Sequence, residues 1–218
     1  YVTRYSVEAA MTEAMVGRRE RKKEETRRRI FEAAVKLFTD KGFVATTVDE
    51  IADAADVAKG TFFNYFPRKE AIVYYLFEEW AEVGEQIAAE TGRPAEERIL
   101  DLFTMAAASF GEKRELARTV AQFALQQMCC PKPEDMPAHR RHDQIFDDIW
   151  QQGVARGEFR ADVDPMQAHG VLGSVFVGAV TWWVGTPDGR VHPQALQYAL
   201  PDIIQANMKM VFDGLRKT

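Results

Sequence analysis

The sequence predicts an all-α fold, and three observations support this prediction. Apolar residues recur at helical spacing along most of the chain, as in the stripe Ile30, Ala34, Leu37 and Phe38. No segment sustains the apolar–polar alternation of a half-buried strand. Glycine- and proline-containing separators, such as Thr91–Pro94, lie between the periodic segments.

The composition is that of a soluble globular protein. The chain has 218 residues, of which 46% are hydrophobic and 28% charged, so a sizeable core is expected. The two cysteines, Cys129 and Cys130, are adjacent and give no disulfide framework, which suits a reducing cytoplasm. The longest apolar run, Val171–Gly185, is shorter than the ~20 residues of a membrane span. We therefore expect a cytoplasmic protein without membrane contact.

The first part of the chain predicts an arm followed by one long helix. Residues 1–17 show no clear pattern and are expected to form a flexible arm. The first helix is expected over about Glu24–Lys41, with its apolar stripe toward a core. Gly42 follows it at the position where a glycine ends a helix.

Two short helices are predicted next. Thr47 and Glu50 form a capping-box pattern that starts the second helix. Ala55–Val57 forms the turn, the third helix spans about Ala58–Tyr65, and Pro67 closes it.

The remainder predicts six further helices. The fourth helix has an inward stripe made by Ile72, Tyr75, Leu76, Glu79 and Val83. The helices are expected at about residues 68–90, 95–110, 113–129, 138–157, 165–185 and 193–215.

Charge is distributed unevenly along the chain. The net charge is −5, but residues 1–70 carry 14 Lys/Arg against 12 Asp/Glu, and residues 71–218 carry 14 against 21. The segment Arg18–Arg29 alone has eight basic residues against three acidic ones. A basic head on an acidic body presents the head to a polyanion.

The third helix has the residues of a DNA-reading helix. Val57, Phe62 and Phe66 are expected to point inward. Asparagine suits an adenine edge, and a tyrosine hydroxyl suits a phosphate; lysine suits a phosphate or a guanine edge, and threonine a phosphate or a thymine methyl group. We assign the following residues to DNA binding: Arg28, Thr47, Lys59, Gly60, Thr61, Phe63, Asn64, Tyr65 and Lys69. The alternative is that the aromatic residues form plain core and the helix pair is scaffolding.

These residues also carry a family resemblance. The segment resembles the DNA-binding domain of the TetR family of one-component bacterial regulators. The match consists of Thr-Thr-Val-Asp-Glu-Ile-Ala from Thr46, Lys-Gly-Thr-Phe-Phe-Asn-Tyr-Phe from Lys59, and Arg-Lys-Glu from Arg68, and it covers about residues 24–75. The resemblance implies a homodimer on a palindromic operator, usually a repressor. It also implies a small molecule that binds the body and releases double-stranded DNA.

Two positions depart from the usual family pattern. Asp56 stands where the turn normally has glycine, and aspartate tolerates a left-handed backbone better than most residues. Ala58 stands at the cap of the reading helix, where serine is common; replacing a serine cap by alanine costs ~1 kcal/mol.

The C-terminal helices predict a subunit interface. The helix over 165–185 is apolar nearly all round, and its small residues, such as Gly170 and Gly178, permit close helix approach. One face would cover its own body and the other a partner, with the helix over 193–215 completing a four-helix interface. The alternative is that both helices are monomer core.

A binding site for a small molecule is expected among the apolar helices of the body. Aromatic residues with few polar neighbours suit an apolar effector, although ordinary core has the same composition. The residues selected are Phe103, Phe110, Phe123, Gln126, Phe146, Trp150 and Trp182.

The sequence thus predicts an arm over 1–17, a DNA-binding domain over 18–70, and a helical ligand-binding and dimerisation domain over 71–218. The function is that of a ligand-responsive transcriptional regulator, with no catalytic residues, metal or cofactor. The alternative is an all-α small-molecule-binding protein or enzyme with a non-functional DNA-binding head.

Overall fold

The computed structural model describes residues 2–111, 113–129, 136–186, 188 and 190–215, with side chains from residue 19 onward except 127–139 and 215. Throughout this part of the chain the regular elements are helical, as predicted. The α-helices are α1 (Val2–Lys41), α2 (Val48–Ala54), α3 (Lys59–Tyr65), α4 (Ala71–Ala89), α5 (Ala95–Phe110), α6 (Arg114–Cys129), α7 (Met136–Ala155), α8 (Pro165–Val184) and α9 (Leu200–Leu215), with a 3₁₀ turn at Pro193–Leu196.

The chain forms two compact units, Tyr1–Ile72 and Val73–Thr218. In the first unit α1 packs on α2, and α2 packs on α3. The predicted α1 stripe is confirmed for Ile30, Ala34 and Phe38, which are fully buried, whereas Leu37 is half-buried. These side chains form the small core from which α2 and α3 are positioned.

Helix α1 begins earlier than the sequence predicts. The backbone is helical from Val2, whereas a helix from Glu24 and an arm over 1–17 were expected. Residues 2–16 contain neither glycine nor proline and are rich in alanine, glutamate and methionine, which have high helix propensity. This composition favours the earlier start of the helix.

In the second unit α8 packs against α6, α7 and α9, while α5 packs against α7 and α9. Stacked aromatic rings fill the centre of this unit. The ring centres of Trp150 and Phe159 are 4.4 Å apart, and those of Phe159 and Phe212 are 6.1 Å apart. All three side chains are buried. No helix in the described ranges combines the length and apolar character needed to cross a membrane. The side chains of Cys129 and Cys130 lie outside those ranges.

Polar contacts close the turn between α4 and α5. The guanidinium of Arg98 is fully buried, and its Nη1 donates to the carbonyl of Ala88 at 2.9 Å. Burial lowers the pKa of Arg98. A carboxylate oxygen of Glu158 accepts from the backbone N–H of Ala95 at 2.5 Å, which caps α5 from a distant part of the chain.

Two arginines of α6 hold the end of α8. Arg118 donates to the carbonyls of Gly185 and Val184 at 2.6 and 2.9 Å. Arg114 donates to the carbonyl of Trp183, and its guanidinium lies 4.1 Å from the centre of the Trp183 ring. These contacts satisfy the last carbonyls of α8, which have no partner within the helix.

The helix expected over 193–215 is interrupted, which corrects the sequence prediction. A 3₁₀ turn at Pro193–Leu196 is followed by a break, and α9 starts at Leu200. Pro201 explains the break, because proline lacks an N–H and fits only the first turn of a helix. A continuous helix would have placed it in the interior.

Candidate functional site

The start of α2 is fixed by the predicted capping box. Thr47 is the N-cap, and its hydroxyl oxygen accepts from the N–H of Glu50 at 3.3 Å. In return a carboxylate oxygen of Glu50 accepts from the Thr47 N–H at 2.9 Å and from its hydroxyl at 2.8 Å. A hydrogen bond from the Lys41 ammonium, followed by those from Thr47, lowers the pKa of Glu50 to about 2. The Thr47 hydroxyl is therefore engaged within the protein.

The turn between α2 and α3 depends on Asp56. Its φ is +51°, the left-handed conformation predicted for this position. Its N–H donates to the carbonyl of Asp53 at 3.1 Å, and the N–H of Val57 donates to Ala52 at 3.0 Å. This is the hydrogen-bond pattern of a Schellman motif, which normally uses glycine at the Asp56 position. Ala58 caps α3 without a side-chain hydrogen bond, as its side chain requires.

Helix α3 has one buried and one exposed face. Phe62 and Phe66 are buried, as predicted, and Val57 is half-buried. Phe63 is 45% exposed although it is aromatic, and its ring meets Phe62 edge-on at 5.4 Å. Of the remaining predicted DNA contacts on this helix, Lys59, Gly60 and Asn64 are exposed, and Thr61 and Tyr65 are half-buried.

Lys59 is paired with an acid that sequence reasoning overlooked. Its ammonium lies 2.8 and 3.0 Å from the two carboxylate oxygens of Asp49 in α2. The residues are ten positions apart, so the contact depends on how α2 and α3 cross. The pattern of charged residues in the sequence gives no signal of this pairing.

Lys69, which the sequence assigns to a phosphate contact, makes hydrogen bonds within the protein. Its ammonium donates to the carbonyls of Phe43 and Thr46 at 2.6 and 2.7 Å and lies 4.2 Å from the centre of the Phe43 ring. Burial lowers its pKa. Helix α4 starts at Ala71, so Lys69 lies before the helix and fastens the loop between α1 and α2.

The basic segment lies along α1. Arg28 is exposed and pairs with Glu32 through a 3.0 Å contact from Nε. The guanidinium of Arg27 lies 5.7 Å from the ring centre of Phe66. The exposed basic residues of this segment include Arg19, Lys22, Lys23, Arg28 and Arg29.

Two of the seven predicted effector residues, Phe110 and Phe123, lie in an aromatic group that includes residues of α4. The ring centre of Phe110 lies 5.6 Å from that of Trp80, which lies 5.4 Å from that of Phe77. The ring centres of Phe123 and Tyr74 are 6.2 Å apart. With His142, 6.4 Å from Phe77, these rings join four helices. We call the following set the aromatic cluster: Tyr74, Phe77, Trp80, Phe110, Phe123 and His142.

Sequence reasoning missed the α4 members of the aromatic cluster because it assigned part of the inward face incorrectly. Val83, placed in the stripe, is 39% exposed, whereas Trp80 is 6% exposed. The signal available was the spacing of Tyr74, Phe77 and Trp80, three residues apart. Within the described part of the chain, the buried Nε1 of Trp80 has no hydrogen-bond partner.

The other five predicted effector residues lie elsewhere. Phe146 stacks on His169 at 4.5 Å, and its neighbour Trp150 belongs to the ring stack described above. Gln126 is exposed, and Trp182 is 37% exposed. The ring of Phe103 packs on that of Phe176, with 5.7 Å between the ring centres. The structure therefore does not bring the seven residues together.

Comparison with known proteins agrees with this arrangement. Residues 30–76 match the family model "Bacterial regulatory proteins, tetR family". The transcriptional repressor KstR2 of Mycolicibacterium smegmatis is 28% identical over 81% of this chain and 90% of its own length.

Solved structures match nearly the full chain. FadR of Thermus thermophilus, in complex with lauroyl-CoA, superposes with a TM-score of 0.59 at 26% identity, over 88% of this chain and 97% of that one. The fatty acid degradation regulator FadR of Bacillus halodurans has a TM-score of 0.67 at 22% identity, with the same coverage. With the capped helix–turn–helix and the helical second unit, the family-model match and the similarity to KstR2 support a TetR-family transcriptional regulator.

Proposed function

We propose that this chain is a ligand-responsive repressor that binds a palindromic operator as a homodimer and is released by a small, largely apolar effector. The observation that carries the proposal is the construction of α3. Phe62 and Phe66 anchor the helix in the core, while Lys59, Gly60, Phe63 and Asn64 stand exposed on the other side.

The exposed side chains suit reading in the major groove. Asn64 can pair with adenine, and Lys59 can reach a guanine edge or a phosphate. Apart from its chain neighbours and its own helix backbone, no atom lies within 4 Å of where a Cβ at Gly60 would lie, so DNA can approach the backbone there. The ring of Phe63 can contact a thymine methyl group, which gives its exposure a use. Arg28 and its basic neighbours on α1 supply phosphate contacts.

An apolar face on α8 and α9 supports the homodimer. Val171 is 50% exposed and Met210 is 68% exposed, so both helices present large apolar side chains to solvent. Between the helices lies an open groove of about 490 Å³, lined by Val175, Gly178, Ala179, Asn207, Met210 and Val211. On the opposite side of α9, Ile204, Met208 and Phe212 are fully buried in their own unit. An isologous contact would cover the exposed face of both copies.

The aromatic cluster is our proposed effector site. Six rings from four helices provide apolar walls, and the indole N–H of Trp80 is one buried donor available to an effector oxygen. The Thermus thermophilus FadR structure contains lauroyl-CoA, a molecule with a long apolar chain. This supports an apolar or acyl-bearing effector for the present chain.

Base reading by Asn64 is tested by Asn64→Ala. We expect the variant to bind a duplex selected from a random library by the wild-type protein about 5- to 150-fold more weakly, since one bidentate pair is worth about 1–3 kcal/mol. Fluorescence anisotropy measures both affinities. An unrelated duplex is the control and should be bound equally by both proteins. Equal losses on the two duplexes, or none on either, would contradict the proposal.

The subunit interface is tested by Met210→Glu, with Gln205→Glu as a charge-matched control at another exposed position of α9. Sedimentation should give wild type and control twice the 24.7 kDa chain mass. The dimer dissociation constant of Met210→Glu should be at least tenfold higher than that of the wild type, because a carboxylate would be buried in an apolar contact. A monomeric wild type, or a variant that dimerises as the wild type does, would reject this interface.

The effector site is tested by tryptophan fluorescence during titration with lauroyl-CoA. Binding in the aromatic cluster should change the emission of wild type and of Trp182→Phe, whose indole lies outside the cluster. Trp80→Phe should remove most of the change and keep the fold, because its Nε1 makes no hydrogen bond to lose. Coenzyme A without the acyl chain is the control. The site is wrong if Trp182→Phe loses the signal instead, and the effector class is wrong if lauroyl-CoA does not bind.

A further inference from the structure

We infer that Asp49 is a positioning residue for DNA binding: it competes with DNA for Lys59 and thereby restrains the affinity of the reading helix. The inference rests on the proposed DNA-binding function. It goes beyond that function by assigning a role to an acidic residue that makes no predicted contact with DNA.

The geometry of the pair is close and nearly symmetric. Asp49 is the second residue of α2, and Lys59 is the first residue of α3. The lysine ammonium lies 2.8 Å from one carboxylate oxygen and 3.0 Å from the other. The side chains are 63% and 55% exposed, so the pair lies on the solvent side of the two helices.

Fold stability gives little reason for this pair. Exposed ion pairs contribute little to stability, because water screens the charges and two long side chains lose freedom. The neighbouring Glu50 already supplies the carboxylate of the capping box. An acid in the first turn does favour the helix dipole, but Glu50 provides that as well. Fold stability therefore does not account for the pairing of Asp49 with Lys59.

The pair has a larger consequence at a DNA surface. A lysine adds to DNA affinity by neutralising a phosphate and releasing condensed counterions. While Lys59 remains beside Asp49, the two charges cancel and this contribution is lost. When Lys59 moves to the DNA, the carboxylate of Asp49 is left without its partner near a polyanion. Either way, Asp49 reduces the effective positive charge of the interface by about one.

This arrangement restrains binding without altering the reading helix itself. Every duplex offers phosphates, so an unrestrained lysine at this position strengthens binding to all DNA. An internal competitor lowers that general affinity and leaves Asn64 to provide base-specific contacts. Asp49 thus adjusts how tightly the protein holds DNA through a side chain outside α3.

Asp53 provides a matched control. It lies one helical turn after Asp49 on the same face of α2 and is exposed. Asp53→Asn removes the same charge, so any difference between the two variants reports on the contact with Lys59. Both substitutions keep the side-chain size and should leave the thermal unfolding midpoint nearly unchanged.

The test measures affinity for the selected duplex over a series of salt concentrations. Asp49→Asn should bind about five- to tenfold more tightly than Asp53→Asn, and its plot of log K against log salt should be steeper by about 0.9, the value for one additional phosphate contact. When Lys59→Met is added, the two aspartate substitutions should have equal effects.

Two results would overturn the inference. Equal effects of Asp49→Asn and Asp53→Asn would show that only general charge matters. A gain in Asp49→Asn that persists with Lys59→Met would show that Lys59 is not the group restrained. If folded wild-type protein and all variants fail to bind any duplex, the proposed DNA-binding function fails instead, which is a distinguishable outcome.

Discussion

The proposed DNA-reading face of α3 depends on one charged contact, the hydrogen bonds from the Lys69 ammonium to the carbonyls of Phe43 and Thr46. This contact adds a charged donor to the loop between α1 and α2, which is also closed by the N–H of Thr46 donating to the carbonyl of Phe43 at 3.3 Å. Thr46 is buried there, and its hydroxyl donates to the carbonyl of Gly42 at 2.8 Å. The next residue, Thr47, is the cap of α2, so fixing the loop also fixes where α2 begins.

Each following element takes its position from the one before it. The capping box sets the first turn of α2, and the left-handed Asp56 sets the angle at which the chain leaves it. Phe62 and Phe66 then fasten α3 to the core, which determines the face that Lys59 and Asn64 present. Because α3 has only seven residues, these flanking contacts rather than its own helical stability must keep it in place.

The features that the sequence predicted correctly are local. The capping box of Thr47 and Glu50, the turn at Asp56 and the buried face of α3 each depend on residues within a few positions of one another. Helix periodicity also located most helices to within a few residues. The break before α9 was missed although it has a local signal. Pro201 favours the first turn of a helix, so the sequence could have predicted a helix start there.

The features that were missed depend on long-range packing. Lys69 contacts a carbonyl 26 positions away, and its sequence position beside a predicted helix start made a phosphate contact the simpler interpretation. The aromatic cluster needs the correct rotation of α4 against α5, α6 and α7, which apolar spacing did not determine, because α4 is buried over more than one stripe. Similarly, the pairing of Asp49 with Lys59 depends on the crossing of two short helices.

The role of Lys69 in holding the loop between α1 and α2 is tested most directly by measuring thermal unfolding and DNA affinity of Lys69→Met. The control is Lys36→Met, which changes an exposed lysine of α1. If Lys69 holds the loop, its loss should lower stability by about 1–3 kcal/mol, since carbonyls lose their donor, and DNA affinity should fall with it. The control should change neither by much. An unchanged unfolding midpoint in Lys69→Met together with weakened DNA binding would contradict the account and identify Lys69 as a phosphate contact alone.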